Sequence, residues 1–436
     1  MHTPSSDNLS ALLPPGTSSR IPLVVFSHLR WGFVFQRPQH LLTRLARRFD
    51  VFFVEEPAFA EGEPRLQSVR QADGVEVLTP FTPVAATGFH DDQMPALKAL
   101  IADFLAARQV TEPLAWLYTP MALPLVEDLE ARALVYDCMD ELAAFKFAPP
   151  QLLERERALL DAADVVLTGG PSLYETRKHL HPNIHCLPSA VDAAHFAPYN
   201  LDGTSPESRL ADELHRSLPH PRLGFFGVID ERLDLALLER LADLRPAWQI
   251  VMAGPVVKID PGMLPKRANL HWIGMQRYET LPHLLTHWDV CLLPFALNEH
   301  TRFISPTKTL EYLAGGKPAV STPIRDVVSL YASAVQIGES AEDFVEAVER
   351  TLARSENERA EWRIAARALV EGCTWDGTAE RIAALLQPYV GSGSAEPIIV
   401  DKPLAPGALV VVTCEDSPAP LPVPAQREHS TQPLSV

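Results

Sequence analysis

The sequence predicts an α/β protein made of two doubly wound parallel-sheet domains that face a cleft. Three observations carry that prediction. Short unbroken apolar runs recur along the chain, among them Ile21–Ser27, Val165–Thr168, Arg222–Phe226 and Val290–Phe295, as strands buried on both faces require. Amphipathic helical segments alternate with these runs, the order expected of βαβ units. One stretch rich in Pro, Ser, Gly and Asp, residues 198–221, interrupts the alternation and has the composition of a linker between two similar units.

Taken in order, residues 1–20 are Ser/Pro/Thr-rich and are expected to be a disordered leader. The first Rossmann-like domain spans 21–200. It opens with strand Ile21–Ser27, the loop His28–Phe33, and a helix from near Pro38 that turns Leu41, Leu42 and Leu45 inward. Strands at Val51–Val54, Val75–Leu78, Leu114–Tyr118, Ala133–Tyr136, Val165–Thr168 and Ile184–Leu187 follow, with helices at Met94–Arg108, Pro150–Ala163 and Ser172–Leu180. Residues 201–220 form the linker, and the second Rossmann-like domain covers 221–375. Its strands are Arg222–Phe226, Gln249–Ala253, Leu270–Trp272, Val290–Phe295 and a short one beginning at Pro318–Ser321, with helices at Leu233–Leu244 and Tyr278–Thr286. Ser305-Pro306 offers an N-cap and a first-turn proline for a helix carrying Leu310, Leu313 and Ala314, which Gly315-Gly316 stops. Three more helices close the fold, and the last, 376–390, lies far enough along the chain to return to the first domain. Residues 391–436 are expected to be a mostly disordered tail, with one apolar run, Ala408–Thr413, able to form a strand or docking peptide.

Bulk chemistry narrows the function. The net charge is −17, with no basic stripe, so nucleic acid is not an expected partner. The clustered Arg44, Arg47 and Arg48 leave room for peripheral contact with an anionic surface. Five scattered cysteines form no C-x-x-C pair, which fits a reducing compartment and neither a disulfide framework nor a zinc site. The N-terminus lacks a basic region followed by an apolar core, and no apolar run approaches bilayer length. A cytoplasmic protein is expected, in peripheral contact at most with the inner face of the cell membrane.

Open α/β sheets bind ligands at the carboxyl ends of their strands. In the first domain those ends carry His28, Arg30, Trp31, Arg37, Asp137 and Asp140; in the second they carry Gly227, Arg232, Gly254, Met275, Gln276, Arg277, Arg302, Ser305, Thr307, Lys308 and Glu311. Glycine turns, two arginines and a lysine at a helix start suit a diphosphate, and Glu311, sharing a helix face with Lys308, suits sugar hydroxyls. Bulky His28, Leu29 and Arg30 stand where a dinucleotide fingerprint would need glycines. There is no Walker loop, no G-x-S-x-G elbow and no H-E-x-x-H. Asp137 and Asp140 can bind a metal or cap the turn at Glu141–Phe145.

The stretch Ser305–Val320, with Ser305, Pro306, Lys308, Glu311, Tyr312, Leu313 and Gly316, resembles the donor-site signature of GT-B glycosyltransferases of the retaining, bacterial cell-surface polysaccharide type. Trp272–Pro282 with Trp288-Asp289-Val290 is similar to their nucleotide loop and next strand, and Gly224–Asp230 resembles their phosphate-side loop. Ser27–His40 and Tyr136–Asp140 look like the subgroup that includes teichuronic-acid-type transferases. The resemblance covers about residues 21–390. It implies a GT-B fold and transfer of a sugar from a nucleotide diphosphate sugar to a carbohydrate or lipid-linked acceptor, without a cofactor or metal. It implies a diphosphate contact for Lys308, helped by Arg232 or Arg302, and sugar or ribose contacts for Glu311. Met275, Gln276 and Arg277 line the base, with Ser305, Thr307, Gly227 and Gly254 completing the donor side. His28, Asp137 and Asp140 fall in the catalytic role, and Arg30, Trp31 and Arg37 on the acceptor side. One departure is Phe303, which occupies the position eight residues before Glu311 where many relatives carry an acid; Glu299 is the nearby acid that could replace it. A nucleotide-sugar isomerase or epimerase, and a non-catalytic binding partner, are the alternative readings of the same scaffold.

Overall fold

The computed structural model describes residues 20–145 and 148–391. The expected leader up to residue 19, and the tail from 392 with its run Ala408–Thr413, lie outside the described residues.

The first lobe is built on strands β1 (Ile21–Ser27), β2 (Phe49–Glu55), β3 (Ala58–Phe59), β4 (Arg65–Arg70), β5 (Glu76–Thr82), β6 (Leu114–Leu117), β7 (Ala133–Cys138), β8 (Val165–Thr168) and β9 (Ile184–Cys186). They run in the order β3-β5-β2-β1-β6-β7-β8-β9, with β4 antiparallel on β5 and the other pairings parallel. Successive residues of a strand point to opposite faces, so Leu23 and Val25 enter one core and Val24 and Phe26 the other. Helices cover both faces, which is why the strands read as unbroken apolar runs.

The second sheet comprises β10 (Arg222–Phe226), β11 (Gln249–Ala253), β12 (Leu270–Trp272), β13 (Val290–Leu293), β14 (Ala319–Ser321) and β15 (Val335–Ile337). Its order is β12-β11-β10-β13-β14-β15, all parallel. The order reverses between β10 and β13, which opens a crevice at their carboxyl ends. The loops after those two strands carry Gly227 and Lys308. After the second lobe, helix Trp375–Val390 packs Trp375, Ile382 and Leu386 into the core of the first lobe.

Several short elements, β3, β15 and helices Ala193–Phe196 and Arg325–Tyr331 among them, were not expected from the sequence, and two larger departures have a clear physical reason. The hairpin β4–β5 extends the first sheet where a lone strand Val75–Leu78 was expected. Five of the six β4 residues are exposed, and an edge strand wet on both faces carries no alternating apolar signal. The expected linker 201–220 contains helix Pro206–His215, capped by Ser205, whose hydroxyl accepts the Ser208 N–H. Only Ala211 and His215 of this helix are buried, too few to print an apolar stripe. His215 Nδ1 donates to Ala211 O at 2.7 Å, leaving Nε2 to accept the Trp288 indole N–H at 2.9 Å. Burial pushes the imidazole down to about 4, and the neutral ring this implies is the one both bonds require.

Trp288 in turn needs Gly224 of β10, because a Cβ there would sit 1.8 Å from the indole. Gly224→Ala is therefore expected to cost roughly 3 kcal/mol by overpacking, read as a lower urea midpoint at unchanged m-value. A loss under about 0.5 kcal/mol would show that the indole can shift freely.

Candidate functional site

Between the lobes lies a cavity of about 420 Å³. The second lobe contributes Gly227, Val228, Arg232, Gly254, Met275–Tyr278, Lys308 and Glu311; the first contributes Trp31–Arg37, Met139, Asp140 and Gly169.

Lys308 is the first residue of helix Lys308–Ala314, so the helix starts two residues later than Ser305-Pro306 suggested. Ser305 does not cap it, nor does any side chain at the cap position; the turn before it is spent on contacts with the other lobe. Lys308 Nζ lies 5.4 Å from the Phe225 ring centre and 5.6 Å from that of Phe295. Among the described residues it has no hydrogen bond and no ion pair. Desolvation first, then Arg232, push the ammonium down to about 8, with Glu311, Asp230 and Asp140 opposing. Glu311, one turn on, is buried, and its carboxyl is pushed up to about 7 with Lys308 opposing. A cation held among aromatic rings without a counter-ion is a site for an anion.

The glycines make room for it. A Cβ on Gly227, whose φ is +142°, would meet Lys308 Cε at 2.3 Å. One on Gly254, with φ +152°, would lie 1.8 Å from Gly227 O. Both glycine amides are already bonded, to Ala253 O and Gly274 O, so their role is close approach rather than donation. The amides of Val228, Thr307 and Lys308 donate to no carbonyl among the described residues. Arg232 lines the cavity with one edge held by Asp230 at 2.7 Å and its face 5.6 Å from Phe145 of the first lobe.

Gln276 is fixed by its amide to Ile273 O at 2.9 Å, Met275 is half-exposed, and Arg277 pairs with Glu279 at 3.2 Å. Across the cavity Asp140 has a carboxylate with no hydrogen-bond partner among the described residues. Burial raises its pKa, against the pull of Arg232, Lys258, Arg37 and Lys308.

Four expected site residues do not line the cavity. Asp137 is fully buried in β7 and takes the Arg37 guanidinium at 2.9 Å, which makes it a structural ion pair inside the first lobe. Arg37 does reach the cavity wall, but with Nε on Asp137 and Nη1 on Leu187 O at 2.8 Å. His28 is not among the lining residues, and its ring is driven down to about 4 by desolvation and Lys258. Arg30 is spent on Glu55 and Pro57 O. Arg302 points outward, 60% exposed, 3.5 Å from an exposed Glu299 and stacked on Phe303. Phe303 itself packs against the core of the first lobe. Of the acceptor-side residues Trp31 lines the wall, its indole edge-on to Phe53 at 5.0 Å.

Sequence reasoning missed Tyr278. It lies between Phe35 at 4.4 Å and His195 at 4.1 Å, both stacked; Phe35 belongs to the first lobe, while His195 sits beside Phe196 of the second lobe's core, so the Phe35 contact is the one that crosses between the lobes. Phe33, which is not among the expected site residues, also faces the cavity and is 41% exposed. Its place in a run of aromatics beside Trp31 was the available signal.

Residues 220–354 match the family model described as Glycosyl transferases group 1. A protein of Bacillus subtilis (strain 168) named as a teichuronic acid biosynthesis glycosyltransferase, TuaH, is 22% identical over 258 residues, covering 55% of this chain and 64% of the relative. Among solved structures, Anabaena Alr3699/HepE in complex with UDP and glucose is similar at TM-score 0.62 and 14% identity, covering 84% of this chain and 99% of that one. Sucrose-phosphate synthase from Thermosynechococcus elongatus is similar at TM-score 0.62 and 14% identity, covering 84% and 98%. At such identities the likeness concerns fold. The chain therefore has the GT-B fold of two facing Rossmann-like lobes, and the match to the glycosyl transferases group 1 model falls on its second lobe.

Proposed function

We propose that the protein is a glycosyltransferase, moving a sugar from a nucleotide diphosphate sugar to a carbohydrate or lipid-linked acceptor in cell-envelope or exopolysaccharide synthesis. The observation that carries this reading is the half-buried, unpaired ammonium of Lys308 facing an interlobe cavity beside two close-packed glycines. The similar protein named for teichuronic acid biosynthesis supports the cell-envelope assignment.

In this reading the diphosphate seats against Lys308, the Arg232 edge and the amides of Val228, Thr307 and Lys308. As the bond between the anomeric carbon and the phosphate oxygen breaks, its electron pair passes to that oxygen. Preorganised donors in a water-poor cleft stabilise the growing charge more than the ground state. Glu311 accepts from hydroxyls of the donor, and the loop Met275–Arg277 receives the base. The acceptor hydroxyl approaches from the wall formed by Trp31–Phe35, and its proton passes to Asp140 or to the leaving phosphate. Retention of anomeric configuration is part of the proposal, and no step in it is assigned to a metal.

Lys308→Ala is expected to weaken nucleoside diphosphate binding about a hundredfold, roughly 3 kcal/mol, by calorimetry with the nucleotide that most stabilises the wild type. Equal affinity in both proteins would remove Lys308 from the site. The ammonium is pushed down to about 8 and a bound diphosphate pulls it back up, so binding takes up a proton as pH rises. Affinity should fall about tenfold between pH 7 and pH 9, and a flat profile would mean that the lysine is not the contact. Asp140→Asn should lower kcat about a hundredfold or more with donor affinity nearly unchanged; an unaltered kcat would move proton handling elsewhere.

A further inference from the structure

The loop that delivers Lys308 belongs to the second lobe by sequence and is held by the first. Phe303 packs, half-buried, against the first lobe's core. The Ser189 hydroxyl donates to Ser305 O at 3.0 Å, and the Thr307 hydroxyl donates to Ser189 Oγ at 3.1 Å. Beneath them sits Asp326, fully buried at the start of helix Arg325–Tyr331 of the second lobe. Its Oδ1 accepts the Ser172 N–H at 3.1 Å and also the Ser172 hydroxyl.

Ser172 lies in the first turn of helix Pro171–Arg177 in the first lobe, whose own cap residue is Gly170, without a side chain to offer. Asp326 thus caps, from the opposite lobe, a helix that has no cap of its own. Gly170 is what lets the lobes meet: a Cβ there would lie 2.2 Å from Asp326 Oδ2 and 2.8 Å from Ser305 Cβ. Three residues after Ser305 the chain reaches Lys308, the first residue of its helix. Separating the lobes would leave a helix end uncapped and a buried carboxylate without its donors, and would free the turn before Lys308.

We propose that Asp326 and Ser189 are positioning residues, a cross-lobe latch that holds the Ser305–Thr307 turn so that the anion site around Lys308 is complete only when the lobes are docked. This rests on the donor reading above and adds to it that nucleotide affinity is set partly by residues that touch no nucleotide. Asp326 reaches Lys308 only through the turn, and Ser189, on the cavity wall, through its bonds to Ser305 and Thr307.

The test combines small-angle scattering of the nucleotide-free protein with calorimetry, using whichever of UDP, GDP, ADP, CDP and dTDP most stabilises the wild type. Asp326→Ala and Ser189→Ala are expected to weaken binding about tenfold, with Asp326→Ala also giving a larger radius of gyration. Asp326→Asn keeps an acceptor for both Ser172 donors, so it should restore affinity to within about threefold of wild type. That rescue separates positioning from mere loss of stability. Wild-type affinity in Asp326→Ala and Ser189→Ala, or failure of Asp326→Asn to rescue, would overturn the coupling. An unchanged radius of gyration in Asp326→Ala would overturn the latch. A wild type that binds none of the five nucleotides would sink the donor reading and the coupling with it, while scattering would still decide the latch.

Discussion

An ammonium group set among aromatic rings, with no carboxylate in bonding range, is the constraint around which the second lobe is arranged. Burying a charge is costly unless something compensates it. Here Phe225 and Phe295 supply ring faces, Glu311 one turn away supplies partial compensation, and the charge is left open to the cavity. Much of the local backbone follows from this. Gly227 has no side chain because the lysine stem passes over it, and Gly254 has none because Gly227 O lies against it. These glycines differ from those of a dinucleotide-binding loop, whose job includes offering amides; both of theirs are already spent on neighbouring strands.

The two halves of the cavity divide their tasks according to what each can hold. The second lobe presents a cation and unbonded amides, so it suits anionic oxygen. The first lobe turns its own strong charges inward, pairing Asp137 with Arg37 beneath the wall and Arg30 with Glu55 beside it. What it leaves facing the cavity is Asp140 and the aromatic run from Trp31 to Phe35. A carboxylate with an unmet acceptor, opposite an anion site, is well placed to take a proton. Phe303 illustrates the same economy. Where an acid would reach toward a sugar, this chain places a phenyl group that joins the lobes instead.

Strand positions and the alternation of elements were legible in the sequence because strands covered on both faces must be apolar throughout, as in Ile21–Ser27 and Arg222–Phe226. The cluster Gly227, Gly254, Lys308 and Glu311 was legible because each lies at a strand end or helix start, and topology alone brings such positions together. Which polar groups are consumed by their neighbours was not legible. Asp137 and Asp140 are three residues apart and look equivalent, yet one points into β7's packing against Arg37, 100 residues away, and the other into the cleft. Helix Pro206–His215 hid for a related reason. It buries two residues and is held by the Trp288–His215 bond, and a contact across 73 residues leaves no local pattern. Tyr278 likewise owes its place to Phe35 and His195.

A protein of net charge −17 repels an anionic donor at a distance, so the attraction has to be local. At physiological ionic strength charges more than about 8 Å apart in solvent are largely screened. The many acids on the surface therefore count for little once a diphosphate is inside the cleft, where Lys308 and Arg232 face it through a medium poor in water. Desolvation is what gives those cations their strength, and it is also what makes them expensive to keep without a ligand. The contacts that dock the lobes, Ser172 with Asp326, Ser189 with Ser305 and Thr307, and Tyr278 on Phe35, hold that unfavourable arrangement in place. Anion recognition in the second lobe and packing at the seam are in this sense one feature: the contacts that dock the lobes also hold the turn that leads into Lys308.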